Sequence, residues 1–283
     1  MRPFSIYYLS QGALTFFQQK LVALIIEAAN PEMIFLLGAS LYRRRSESIF
    51  NEPAPSSTYF SDCFFLVLMK ETIPGGLHEW QSKIEECCKS LMPVTALVLR
   101  AETFGQWLKS GHPFALKVWH SGAKIHDSGN LPWNVQSDSS DLLPNRALKH
   151  SFTQGLEMAE GFLAGSELCR LRNQNTIAAF MLHQSAEQAL ITLIKSATEY
   201  HPNTHNIERL LRYAGLVSYR IPDVFSQGNE QDRRLLSLLQ KAYIDSRYNK
   251  NYKICNDDLL HLMGKIRHLH DILLKTGENI FNT

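Results

Sequence analysis

The chain has 283 residues, enough for two domains with separate cores, and its 45% hydrophobic and 20% charged side chains are the balance of a globular protein. A formal charge of +2 is too small to predict nucleic-acid binding from electrostatics alone. No apolar run approaches the roughly 20 residues of a membrane span, and the opening Met1-Arg-Pro-Phe-Ser-Ile has neither the apolar core nor the cleavage site of a signal peptide, so a cytoplasmic protein without membrane attachment is expected.

Residues 14–30 carry helical spacing at Phe17, Leu21, Leu24, Ile25 and Ala28. Met33-Ile-Phe-Leu-Leu37 is a short apolar run that reads as a buried strand, with a turn expected at Gly38. Cys63 to Met69 and Val94 to Leu99 are two further runs of this kind. Between them, residues 77–91 place Trp80, Ile84, Cys87, Cys88 and Leu91 near one helical face. Strands separated by crossover helices predict a small α/β (α+β) domain over residues 1–128. Residues 129–145, with Gly129, Pro132, Pro144 and Ser137-Asp-Ser-Ser-Asp141, build no core and read as a linker.

Beyond the linker the pattern is helical throughout, in segments 145–171, 175–200, 206–213, 231–247 and 256–276. Breaks fall at Asn173, Pro202, Pro222 and Asn249-Lys-Asn251. His201 ends a helix because the residue before proline is pushed out of the α region. Residues 146–283 are therefore expected to form an all-α bundle of four or five helices. On the second of these helices His183 and Glu187 lie four apart on one stripe, close enough to bond each other. Either they belong to a buried polar network that pins helix packing, or they serve a ligand.

Phe180-Met-Leu-His-Gln-Ser-Ala-Glu-Gln-Ala-Leu190, His205-Asn-Ile-Glu-Arg-Leu-Leu211 and Tyr243-Ile-Asp-Ser-Arg-Tyr248 occur in that order. With them the helical half resembles the HEPN domain over roughly residues 151–277. The resemblance implies a nucleotide- or RNA-related role of bacterial toxin–antitoxin or defence type, and a homodimer formed through the HEPN helices or a protein partner. His183, Gln184, Glu187, His205, Arg247, Tyr248 and Lys250 are its candidate ligand groups. Many HEPN proteins are metal-independent RNases that use an arginine and a histidine separated by four to six residues. After Arg247 those positions hold Tyr252, Lys253 and Ile254, and no arginine elsewhere has such a histidine. The implied role is thus ligand binding without catalysis. Arg247 and Lys250 suit a phosphate, and Tyr243 or Tyr248 a base. The competing reading makes Tyr243 core and pairs Arg247 with Asp245 or Glu187.

In the first half, Ile34-Phe-Leu-Leu-Gly38-Ala-Ser40, Ser61-Asp-Cys-Phe-Phe-Leu-Val67 and Val94-Thr-Ala-Leu-Val-Leu99 resemble the minimal nucleotidyltransferase fold of the polymerase beta superfamily. Gly111-His-Pro-Phe114 and Ser121-Gly-Ala-Lys-Ile125 resemble its closing helix and its last hairpin. That family seats two Mg²⁺ ions on an Asp-x-Asp and a third acid, because nucleotidyl transfer needs several carboxylates converging on the metals. Here Asp62 stands alone, with Phe64 at the partner position and Thr95 or Leu97 on the third strand. The resemblance implies a pseudoenzyme with a vestigial site of Gly38, Ser40 and Asp62, and Mg²⁺ only if that site were active.

Other patterns carry less. Arg43-Arg-Arg45 reads either as a solvated patch or as a phosphate contact. Cys63, Cys87, Cys88, Cys169 and Cys255 contain no Cys-x-x-Cys pair, which predicts scattered reduced thiols. The eleven histidines show no zinc spacing, so no metal site is expected. An enzyme with a non-standard nucleotidyltransferase or RNase site, and a scaffolding protein, are the alternative functions.

Overall fold

The computed structural model describes residues 16–44, 57–131, 133, 145–226 and 228–281. Its contacts divide into two units, Met1–Leu142 and Leu143–Thr283.

In the first unit α1 (Phe16–Ala29), β1 (Met33–Arg44), β2 (Ser57–Met69), α2 (Leu77–Cys88), β3 (Val94–Arg100), α3 (Ala101–Lys109), α4 (Pro113–Ser121) and β4 (Ala123–Asp127) follow one another. The sheet order is β3-β2-β1-β4. β2 and β3 are parallel, joined through α2, whereas β1 pairs antiparallel with both β2 and β4. The unit is therefore a small mixed α+β layer. Cys63 to Met69 is buried without a break because both faces of β2 are covered. Cys63, Phe65, Val67 and Met69 join Ile34, Ala96 and Val98 beneath α1 and α2. On the opposite face Phe35 packs 6.1 Å from Phe104 and 6.2 Å from Trp119 between ring centroids.

Three expectations need correction here. The turn at Gly38 does not form, because β1 continues through Gly38-Ala39-Ser40 to Arg44, held by pairing with β2. A register shift between Leu36 and Gly38 takes its place, with Leu37 as the extra residue of a bulge. The helix of residues 77–91 stops at Cys88, so Leu91 lies beyond it. The last motif forms a single edge strand, β4, against β1. All five cysteines are free. Burial, with Asp62 adding repulsion, pushes the Cys63 thiol up to about 12, and burial raises Cys88 further, so both stay protonated and unreactive.

The second unit contains α5 (Asn145–Leu171), α6 (Asn175–Thr198), α7 (Ile207–Gly215), a 3₁₀ turn (Pro222–Phe225), α8 (Glu230–Tyr248) and α9 (Asn256–Phe281). Asn206 and Asn229 cap α7 and α8, their side-chain oxygens accepting from Arg209 N and Gln231 N, each at 2.9 Å. α6 packs against α5, α7, α8 and α9 and is the central element. By length and composition α6 also qualifies as a membrane span, contrary to the first reading of the apolar runs, but Leu182, Ala186, Leu190 and Leu193 are fully buried within the bundle. Ser185 links three helices: its hydroxyl donates to Ala159 O at 2.8 Å and lies 3.1 Å from His270 Nε2.

α5 and α6 approach closely at Gly155, where an added Cβ would stand 2.2 Å from Thr192 Oγ1 and 3.0 Å from Thr192 Cβ. Thr192 is β-branched and has little freedom to move aside. Gly155→Ala is expected to destabilise the bundle by about 1–3 kcal/mol from overpacking, which exceeds the ~1 kcal/mol gained in helix propensity. A lower urea midpoint in circular dichroism is the check, and a raised midpoint refutes the close approach.

Candidate functional site

Spacing alone brings the first set of side chains together. Phe180, His183, Gln184 and Glu187 fall along one side of α6, and Gln240, Tyr243 and Arg247, three and four apart, along one side of α8. The two helices run antiparallel, so His183 meets Tyr243 while Phe180 meets Arg247. His205 enters from the loop before α7. That loop is clamped from two sides: the His205 carbonyl accepts from His183 Nε2 at 3.1 Å and from Gln240 Nε2 at 3.3 Å. Gln240 Oε1 in turn accepts the Ile207 N–H at 2.7 Å.

The rings form a column. Tyr243 stacks with His205 at 4.4 Å and 19° and with His183 at 5.0 Å and 28°. The Arg247 guanidinium carbon lies 4.9 Å from the Tyr243 centroid, 5.1 Å from Phe180 and 5.2 Å from Tyr248. Its Nε and Nη2 donate to Tyr243 O at 3.0 and 2.6 Å. A guanidinium carries five N–H donors, so donors remain on its exposed edge. Tyr248 is 76% exposed, and Lys250 is exposed in the turn that follows α8.

Glu187 lies between the two histidines, its side chain 13% exposed. Oε1 is 3.0 Å from His205 Nδ1. Oε2 is buried, 3.4 Å from His183 Nδ1, and accepts no hydrogen bond. Burial lowers the His183 pKa to about 4; the hydrogen bond to His205 O opposes this and the positive charges of His205 and Arg247 reinforce it. His183 is therefore neutral. Its Nε2 donates to the carbonyl and its Nδ1 accepts from Gln184 Nε2 at 3.3 Å, a tautomer assigned from these partners. His205, whose side chain is 56% exposed, donates through Nδ1 to Glu187. Arg247 departs from the carboxylate pairing considered above. It forms no ion pair with Asp245, Glu187 or any other carboxylate among the described residues, because it folds back over Tyr243 to its own helix carbonyl.

Residues 154–276 match the HEPN domain family. The span agrees with the limits read from the three motifs, and the whole ring column lies within the matched residues. No curated protein matches the chain. The bundle thus joins six of the seven ligand candidates, His183, Gln184, Glu187, His205, Arg247 and Tyr248, in one cluster. Lys250 stands apart, with no hydrogen bond or ion pair among the described residues. Gln240 and Phe180 are the contributors the sequence reading misses. Gln240 is three residues before Tyr243 on the same helical side, which was the available signal.

In the first unit, the register sets Ser40 opposite Asp62, and Gly38 opposite Phe64, on one face of the sheet. Phe64 is in turn aligned with Thr95 on β3. Gly38, Ser40 and Asp62 do share this face, but Thr95 Oγ1 donates to Asp62 Oδ2 at 2.8 Å where a two-metal site would need a second acid. Glu102 is exposed on α3, past the strand. Among the described residues no three His, Cys, Asp or Glu side chains are placed to hold a metal ion. The residues on this face do not fit a pair of Mg²⁺ ions, which require several oxygen ligands in one space. The side chains of Arg43 to Arg45 lie outside the described residues.

Proposed function

We propose that the HEPN bundle is a non-catalytic nucleotide- or RNA-binding module whose phosphate seat is Arg247, supported by Tyr243 and flanked by Tyr248 for base stacking and Lys250 for a second phosphate contact. The observation that supports this reading most is an exposed guanidinium, held in place by three rings, without a carboxylate partner. Glu187, the buried acid of the same cluster, is engaged with His205 instead. A merely structural arginine gains most from a bidentate carboxylate, whereas a phosphate seat needs that edge open. On this reading the chain is a regulatory protein of toxin–antitoxin or defence type, acting as a homodimer through its HEPN helices or with a protein partner, and its first unit is a nucleotidyltransferase-like pseudoenzyme.

Titration calorimetry with ATP, GTP and a short RNA tests the seat. At least one of them is expected to bind saturably, and Arg247→Ala to weaken it about tenfold or more, ~1.4 kcal/mol. Saturable binding untouched by Arg247→Ala, or no binding by any of the three, rejects it.

One observation favours a second reading, RNA cleavage. Glu187 and His205 form an acid-oriented imidazole on a side chain that is 56% exposed, and His205 shares the Tyr243 ring with Arg247. An imidazole so held is placed to take a proton from a 2′-hydroxyl while Arg247 holds the phosphate. Incubation with total RNA separates the two readings: cleavage abolished by His205→Ala supports the enzyme, and intact RNA supports the binding module.

A further inference from the structure

A groove of about 340 Å³ lies between α5 and α6, near the C-terminal end of α6. Lys195, on its rim, is eight residues beyond Glu187, about 12 Å along the helix axis, and the groove faces α5 whereas the ring column faces α8. The two places are separate, and nothing about the groove depends on the phosphate seat at Arg247.

Its lining is unusual in two respects. First, Lys195 is exposed and makes no ion pair among the described residues, and no Asp or Glu is among the residues that line the groove. Second, Ser196 lines the groove although the residue is only 7% exposed, and its hydroxyl has no hydrogen-bond partner among the described residues. Helical serines and threonines ordinarily bond back to the carbonyl four residues earlier, as Thr198 does to Ile194 O at 2.7 Å. The Ser196 hydroxyl is open to the groove, where a ligand or water can complete it. The Gln154 amide adds further neutral donors and an acceptor, as does that of Gln188, whose Nε2 already donates to Thr192 Oγ1 at 3.4 Å. His201 Nδ1 is spent on Pro202 O at 3.1 Å, which leaves Nε2 as an acceptor. Met158, 56% exposed, and Ile191 supply an apolar strip along one side.

We infer that this groove binds a small anionic polyol, a sugar phosphate or sugar acid, with Lys195 taking the anion, Ser196 and the glutamine amides the hydroxyls, and Met158 and Ile191 the carbon face of the ring. The volume is at the small end of ligand sites, which fits one monosaccharide and excludes a dinucleotide. An isolated cation would attract any anion equally. The partnerless hydroxyl and the two amides are what give the groove a preference for a hydroxylated ligand, because each satisfied polar group adds to discrimination.

Amide NMR of the full-length chain with four probes tests the inference: glucose 6-phosphate, gluconate, glucose and inorganic phosphate. Glucose 6-phosphate or gluconate is expected to shift the amides of Gln154, Gln188 and Ser196 saturably, with affinity about tenfold above that for glucose or for inorganic phosphate. Lys195→Gln and Ser196→Ala are each expected to weaken that binding, and Arg247→Ala to leave it unchanged. The two probes also distinguish a phosphate from a carboxylate as the anion. Absence of shifts up to about 10 mM of either probe, an order above a millimolar dissociation constant, overturns the site. So does binding indifferent to both groove variants, or equal affinity for inorganic phosphate, which reduces Lys195 to an ordinary surface cation.

Discussion

Acidification from about pH 7 to pH 4 is expected to remove about 3 kcal/mol of stability from the helical bundle through His183 alone. An unfolded histidine titrates near 6.5, while burial holds the folded His183 at about 4. Between these values the unfolded chain takes up a proton that the folded chain refuses. The contribution is therefore intact above about 6.5 and is lost as pH falls toward about 4. His270, also lowered by burial, acts with the same sign. The measurement is urea unfolding of the helical unit by far-ultraviolet circular dichroism at several pH values. His183→Gln has no group to titrate there, so its stability profile should be distinctly flatter than that of the wild-type chain. Parallel profiles for the two proteins would show that His183 is protonated in the folded state and that its burial has been misread.

Phe65→Ala is expected to cost the first unit about 3–5 kcal/mol, the largest effect of any substitution considered. Phe65 is fully buried in β2, the strand paired on both sides, and belongs to the layer closed by α1 and α2. Truncation leaves a cavity that two paired neighbours cannot collapse to fill. All four tryptophans, Trp80, Trp107, Trp119 and Trp133, are in this unit, so tryptophan fluorescence reports its unfolding separately from the helical signal. A midpoint close to that of the wild-type chain would mean that the sheet is not covered on the Phe65 face.

The helical half was legible in the sequence because its signals are local. Asn145–Leu171 was read to the residue, and α6, α8 and α9 to within a few residues at their ends, since a stripe of apolar side chains at three- and four-residue spacing needs no knowledge of its partner. The short 3₁₀ turn at Pro222–Phe225 was missed because four residues carry no period. Six of the ligand candidates were also visible, as three short motifs. What joins them was not. Gln240 looks like any polar residue on α8 until the His205 loop arrives beside it.

The sheet was less legible. Three apolar runs marked β1, β2 and β3 and an α/β (α+β) layer, but strand direction and order depend on pairings between distant segments, and so the antiparallel pairing of β1 was not legible. Gly38 shows the same limit. Glycine after an apolar run is a fair sign of a turn, yet β2 pairs on past it and draws the strand out to Arg44. Arg247 is the case that matters for function. By itself the sequence determined that this arginine ends a helix beside two tyrosines and has no histidine at RNase spacing. Only the tertiary structure decided that His205 reaches the same tyrosine ring, that Glu187 turns to the histidines, and that the guanidinium is left without an acid. Which charges meet is set by the packing of α6, α7 and α8, and a helix period specifies the side a residue occupies but not the partner waiting there.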